Sequence, residues 1–218
     1  MSTATSAVAA QRSRTHKIAV TAMLSAAATV LMFLEFPIPF LIPSFVELDF
    51  SELPALLAAF SLGPISGVVV CLVKNVIKGL LFSGTGGVGE MCNFLLGICL
   101  VIPAGLIYRY RKTRSGALIG ALAGALIMAV CSVPVNYFIS YPVYTKFLPI
   151  DVIISMYQEI VQSFNGLLAR VNAPALPSVN GLLSCLIAFN APFTLLKGLL
   201  DMGLCFLVYK PLSPLLHK

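Results

Sequence analysis

The sequence holds no tryptophan, only two histidines and only eight acidic residues in 218. His16 and His217 lie near opposite ends, which argues against a histidine-based metal or catalytic site. Six cysteines are present, but none forms a CxxC pair and all fall inside apolar segments. They read as small apolar fillers rather than disulfides or metal ligands. There is no GxxxxGK[ST], so the chain does not hydrolyse ATP through a P-loop. No Ser/His/Asp set, no HExxH and no protease-like pair of membrane aspartates is found, so no catalytic residue is assigned and an enzyme is not expected. Gly84–Gly89, GTGGVG, matches GxGxxG in form, but no strand precedes it and no βαβ unit surrounds it. It is expected to be a flexible external loop between two spans, lining the entrance of a pocket.

What is abundant is apolar. Hydrophobic residues make up 59% of the chain and charged ones 10%, and the mean hydropathy is +0.97. That composition belongs to a polytopic membrane protein. Long continuous apolar runs favour helices over the weak alternation of an outer-membrane barrel, so the fold class is an all-α integral membrane protein. The net charge of +6 therefore reports topology rather than nucleic-acid binding.

Six transmembrane helices are expected within residues 17–210, at about 18–35, 51–63, 66–82, 90–109, 115–141 and 182–210. Residues 1–16 should form a flexible cytoplasmic lead, and 211–218 a cytoplasmic tail. The second segment is interrupted by Gly63-Pro64 and would measure roughly 18 Å, short of a 30 Å hydrocarbon core. It is either a short helix turning back into the third, or half of one kinked span. Charge favours the hairpin. It puts Arg12, Arg14, Lys17, Arg109, Arg111, Lys112, Arg114, Lys210 and Lys218 on one side, which the positive-inside tendency makes cytoplasmic. Both termini then lie inside.

Between the first two segments runs PIPFLIPSFVELDFSELP, Pro37 to Pro54, with four prolines and no Lys or Arg. Its apolar start could cover a pocket, while Glu47, Leu48 and Asp49 could hold what lies beneath. We read it as an extracellular lid loop. Asp49 and Glu52 have capping-box spacing for the helix that follows. Residues 151–170 are amphipathic, with Ile153, Tyr157, Ile160, Val161, Phe164 and Leu168 on one face, and should lie as a surface helix.

Polar residues inside apolar segments are costly and tend to face a bundle interior or a cavity. Asn190, Thr194, Lys197 and Asp201 form one stripe on the last segment, where Pro192 should loosen the helix ladder. Lys74, Asn75 and Lys78 lie on the third segment. Glu90 and Asn93 open the fourth, and Asn136, Ser140, Tyr141 and Tyr144 end the fifth. Either these pair as Lys197–Asp201 and Lys74/Lys78–Glu90 to hold helices together, or they line one outward-facing chamber. Amides, ammonium groups and aromatics, including Phe94, Tyr137, Phe138 and Phe193, together suit a flat heterocycle with a hydroxylated tail. Gly116, Gly120 and Gly124 form a GxxxGxxxG face. Ala22 and Ala26 lie on a small-residue face of the first segment, suited to an intramolecular contact or to a partner helix.

Several blocks occur together and in order: Leu48-Asp49-Phe50-Ser51-Glu52-Leu53-Pro54, Leu62-Gly63-Pro64, Gly86-Gly87-Val88-Gly89-Glu90, Pro103 to Tyr108, Asn136-Tyr137-Phe138 and Pro192 to Gly198. In this set the chain resembles the riboflavin-specific S components, RibU type, of energy-coupling factor (ECF) transporters, from about Ile18 onward. The resemblance implies a substrate-binding subunit in a bacterial cytoplasmic membrane, binding riboflavin, or also FMN, from outside. It implies as partners a transmembrane coupling protein and two cytoplasmic ATPases, with flavin as cargo and no cofactor. By the same resemblance Glu47 and Leu48 would touch the flavin edge, Asn136 would bond the ring, Lys197 would reach a polar edge or ribityl oxygen, and Ala22 and Ala26 would form the docking face. Thr194 stands where the family often has Asn, which alters the hydrogen bonds available there. The rival readings are another vitamin, such as thiamine, or a solitary membrane transporter or enzyme.

Overall fold

The structure is a computed structural model that describes residues 2–170 and 174–216. The long helices are α1 (Ser2–Phe33), α3 (Pro64–Phe82), α4 (Val88–Tyr110), α5 (Arg114–Val135), α7 (Ile150–Arg170) and α9 (Ala191–Leu216). Shorter ones are α2 (Glu52–Ser61), α6 (Tyr141–Tyr144) and α8 (Leu182–Cys185). Helix α1 thus takes in the stretch expected to be a flexible lead. The tail's Lys218, placed inside by the charge argument, lies outside the described residues.

Among the described residues, five helical stretches are long and apolar enough to cross a membrane: Arg14–Phe33, Pro64–Phe82, Val88–Tyr110, Arg114–Tyr144 and Leu182–Tyr209. Helix α2 is apolar but has only ten residues, so the expected second span is a short helix rather than a full crossing. The chain reverses at Gly63, whose φ of 104° is open to glycine without strain, and Pro64 starts α3. A Cβ on Gly67 would sit 2.9 Å from the Ala55 carbonyl oxygen, so α3 packs back along α2. That contact selects the hairpin over the single kinked span.

Lipid is as apolar as leucine, so close packing rather than water exclusion holds the spans together. The glycine face of α5 shows how. A Cβ on Gly124 would lie 2.3 Å from the Leu100 carbonyl oxygen of α4, a distance no side chain tolerates. Small and branched residues such as Ala28, Ala55, Leu56, Val70 and Ala121 fill the centre, while Leu80, Val130 and Phe138 are turned outward. Outward-facing leucines are the normal surface of a protein solvated by acyl chains.

A second apolar cluster sits at one end. Helix α7 buries Ile153, Tyr157, Ile160 and Val161 of its expected face, with Phe164 and Leu168 half-buried, and covers Ile42, Leu48, Tyr141, Leu186 and Phe193. The loop from α1 to α2 folds over the same end, closed by a two-residue ribbon of β1 (Phe36–Pro37) and β2 (Glu47–Leu48), paired antiparallel with Phe36 opposite Leu48.

The opposite end carries the basic residues. Lys17, the α2–α3 turn, Arg109 and Lys112 border one cleft there, and Lys112, Arg114 and Tyr209 a second. The flank of α1 and the α4–α5 loop are therefore on the same side of the bundle.

Candidate functional site

The site owes its shape to two breaks in helix regularity. Pro142 and Pro192 have no N–H to donate, and each ring pushes away the carbonyl four residues earlier. Just before each, the ladder widens by one residue. The Tyr141 N–H reaches Asn136 O, and the Ala191 N–H reaches Leu186 O, giving π-helical turns over Asn136–Ser140 and Leu186–Asn190. Such turns re-aim side chains and occur often at functional sites. Here they bring Asn136, Ser140 and Asn190 to one cavity.

That cavity has a volume of about 340 Å³, within the roughly 300–1,000 Å³ usual for small-molecule pockets. The loop supplies Ile42, Phe45, Glu47 and Asp49 to its wall. Glu90 and Asn93 come from α4, Asn136 and Tyr141 from the fifth segment, and Asn190, Thr194 and Lys197 from the last. All of these were expected at the site. Of the expected aromatics, Phe193 lines the cavity, whereas Phe94 packs on the central core and Tyr137 and Phe138 are exposed. Two other expected residues are elsewhere. Leu48 alternates with Glu47 along β2 and turns into the apolar cluster under α7. Lys74 is fully buried in an ion cluster beside the cavity and is not part of its lining.

The observed ion pairs are not those the sequence suggested. Lys197 Nζ donates to Asp49 Oδ2 at 2.8 Å and lies 3.4 Å from Glu52 Oε2. Lys74 Nζ pairs with Glu52 Oε1 at 2.6 Å and with the Ser51 hydroxyl. Lys78 pairs with Glu35. Glu90 instead accepts from the hydroxyls of Ser83 and Thr85 at 3.0 and 3.2 Å. The capping box also gives way. Asp49 Oδ1 accepts the Ser51 N–H at 2.8 Å, and Ser51 precedes α2 without capping it. Both acids are drawn to buried ammonium groups, which interact more strongly than free backbone amides.

Three sets of polar groups remain for a ligand. The side chains of Asn93 and Thr194 line the cavity with no hydrogen bond to another described residue. Asn136 uses its amide N–H on Ser132 O at 2.8 Å, leaving Oδ1 unbonded. Tyr141 and Asn190 are joined through Tyr157, described below.

Glu35 and Thr85 also line the cavity; Glu35 was not expected there, whereas Thr85 belongs to the loop expected at the entrance. Glu35 stands next to the loop and is the counter-charge of Lys78, a pairing that only the fold reveals. Thr85 belongs to the glycine-rich turn, where Gly86 and Gly87 adopt φ of 65° and 88°. Its hydroxyl accepts the Gly89 N–H at 3.0 Å, so the turn is internally bonded rather than loose.

Electrostatics divide the loop acids. Partial desolvation, then the neighbouring Glu35 carboxylate, raise Glu47 above its ordinary value, with Lys78 opposing. Burial would raise Asp49 too, but the ammonium groups of Lys197 and Lys74 outweigh it and hold this carboxyl well below the usual range.

A multi-span helical bundle with a small polar-and-aromatic chamber under a folded loop is built to hold one small organic molecule. A family model for the ECF transporter substrate-specific component matches residues 16–212, and the chain belongs to that family. It is 32% identical over 196 residues to the riboflavin transporter RibU of Staphylococcus aureus, spanning 90% of this chain and 89% of that one. Identity to the riboflavin transporter FmnP of Bacillus subtilis is 28% over 207 residues, 94% of this chain and 96% of the other. A solved S component of a bacterial ECF transporter superposes with a TM-score of 0.68 at 30% identity, covering 94% of this chain and 99% of that chain.

Proposed function

We propose that this chain captures riboflavin in the cavity beneath the loop and hands it to an ATP-driven ECF module. The observation that carries the reading is a single chamber in which Asn93, Asn136 and Thr194 present unbonded polar atoms beside Tyr141, Tyr144 and Phe193. Amides and a hydroxyl can meet the edge of an isoalloxazine ring or ribityl hydroxyls, and aromatic faces can pack on its plane. The relatives named as riboflavin transporters support the same cargo. The flavin is substrate here, and the chain serves as a binding subunit while partner subunits hydrolyse ATP.

The lining favours riboflavin over FMN. Glu35, Glu47, Asp49 and Glu90 face the cavity against Lys78 and Lys197, and both lysines are already ion-paired. A phosphate would enter a site with no free cation among the described residues. The same acid excess suits cationic thiamine, which therefore belongs in any ligand panel.

The loop between α1 and α2 serves as a lid, and α2 with the five long segments makes up a six-segment membrane domain. The end bearing Lys17, Arg109, Lys112 and Arg114 is placed in the cytoplasm by the positive-inside tendency. The cavity then opens outward from a bacterial cytoplasmic membrane, with both termini inside. Ala22 and Ala26 are exposed on α1, flanking the buried stripe of Thr21, Ser25 and Thr29. That favours docking to the transmembrane coupling protein over an internal contact.

Titration of the purified chain with riboflavin, FMN and thiamine, followed by flavin fluorescence or calorimetry, tests the cargo. Riboflavin should bind tightest, and Asn93→Ala should weaken it about five- to tenfold through one lost hydrogen bond. Binding of thiamine but not riboflavin would end the flavin reading.

A further inference from the structure

Asp201 lies one turn beyond Lys197 on α9 and is fully buried. Neither of its carboxylate oxygens has a hydrogen-bond partner among the described residues. The ionisable groups facing it are Glu52 of α2, Asp49 of the lid, Lys74 of α3, and Lys197 and Cys205 of its own helix. From α5, Ala125 and Met128 pack on the same helix at Gly198 and bring no charge.

In the closed arrangement Asp201 makes no hydrogen bond or ion pair with another described residue. Lys197 is met by Asp49 and Glu52, and Lys74 by Glu52 and Ser51. Two ammonium groups balance two carboxylates without it. Burying a further carboxyl with no partner costs stability. Its presence calls for another state of the protein.

That state follows from where Asp49 sits. It is carried by the lid, a loop closed on itself by two paired positions and packed on the bundle through Ile42, Leu48 and Phe45 and through the Asp49–Lys197 pair. Ligand entry and exit require the lid to move, and when it lifts Asp49 leaves with it. Lys197 and Lys74 would then share Glu52 alone. An uncompensated buried ammonium is strongly unfavourable.

We propose that Asp201 is a positioning residue that takes over Lys197 when the lid opens. Residues four apart on a helix face one another, so the ammonium passes from Asp49 to Asp201 by side-chain rotation alone. Asp49 exchanges its partner for water as the lid lifts. Closed and open states are then both compensated at Lys197, and the barrier to capture and release falls. This deepens the capture reading and rests on it.

Hydrogen exchange of the lid amides, residues 38–50, in the ligand-free full chain reads lid opening without any flavin. Stopped-flow fluorescence reads riboflavin dissociation. Asp201→Asn should slow both by tenfold or more, because the open state loses its counter-ion. Asp201→Glu should keep wild-type exchange, and Asp49→Asn should speed both. Equal lid exchange in wild type and Asp201→Asn overturns the proposal. So does an Asp201→Asn chain that fails to fold, since the closed state makes no bond to that carboxylate. A wild type that binds no riboflavin removes the flavin reading, while lid exchange still decides the role of Asp201.

Discussion

The Tyr157 hydroxyl donates to Asn190 Oδ1 at 2.5 Å and in turn lies 2.5 Å from the Tyr141 hydroxyl. Tyr157 comes from the surface helix α7, whereas Tyr141 and Asn190 end the two π-helical turns. One buried side chain therefore ties together the two helix irregularities that shape the cavity. Burial pushes the Tyr157 phenol well above its ordinary value, so it stays a neutral donor throughout the accessible pH range.

Tyr157→Phe keeps the ring and removes the bridge. Two buried polar groups are left without their shared partner, a cost of about 1–3 kcal/mol. We expect a lower thermal midpoint and weaker riboflavin binding together, because Asn190 and Tyr141 lose their fixed orientation. Calorimetric titration beside a thermal scan checks this. Unchanged affinity would mean that the π-turns hold their shape without α7.

Lys74 makes a separate case, since it stabilises the bundle without facing the cavity. It is fully buried and pairs with Glu52, itself buried. Removing one partner of such a pair typically costs about 3–5 kcal/mol, while removing both is far milder. Lys74→Met should therefore lower the unfolding midpoint sharply. The double variant Lys74→Met with Glu52→Gln should recover much of the loss, although Lys197 then keeps only Asp49. Equal stability of Lys74→Met and wild type, by thermal unfolding in detergent, would show that the pair is not compensated as drawn.

These two lysines mark where sequence reasoning stopped. The polar stripe on α9, the pocket amides and the amphipathic face of α7 were legible because helical period places them without knowledge of neighbours. The Gly116–Gly124 face was legible for the same reason, and it packs against α4 as such faces do. Ion-pair partners were not. Lys197 bonds Asp49, 148 residues away, and Lys78 bonds Glu35 across 43 residues. No local rule distinguishes those partners from Asp201 or Glu90. Leu48 is a different case: β2 alternation turns it into the cluster under α7, away from the chamber. The π-turns were half visible, since Pro192 signalled a loosened ladder whereas Pro142 drew no notice.

A pH response of the proposed lid follows from Glu47. Its carboxyl is raised above 4.5 by partial desolvation and by Glu35, so the closed lid favours the neutral acid. Its contribution to closure is complete below about pH 4.5 and is lost as pH rises through the raised value. Asp49 acts in the opposite sense. Held low by Lys197 and Lys74, it supports closure above its ordinary value and lets go only as pH falls far below it. From pH 4.5 upward the slope thus belongs to Glu47. Lid hydrogen exchange, corrected for its intrinsic pH dependence, should show protection falling with pH in wild type. Glu47→Gln should flatten that trend, and a persistent slope in the variant would assign it to another group.

The exposed alanines of α1 separate capture from delivery. Ala22 and Ala26 are exposed and flank Thr21, Ser25 and Thr29, which face inward and bond the carbonyls one turn back at 2.7–2.8 Å. A bulky side chain at 22 or 26 projects away from the bundle, so it leaves the cavity as it is. It would block the close helix approach that small residues permit. Ala22→Trp and Ala26→Trp should keep riboflavin affinity within about twofold, because neither residue touches the chamber. Riboflavin uptake by cells or by vesicles holding the full ECF assembly should fall to background, and co-purification of the coupling protein should fail. A variant that still transports would move the docking surface off this face, and one that no longer binds flavin would show that these alanines support the fold itself.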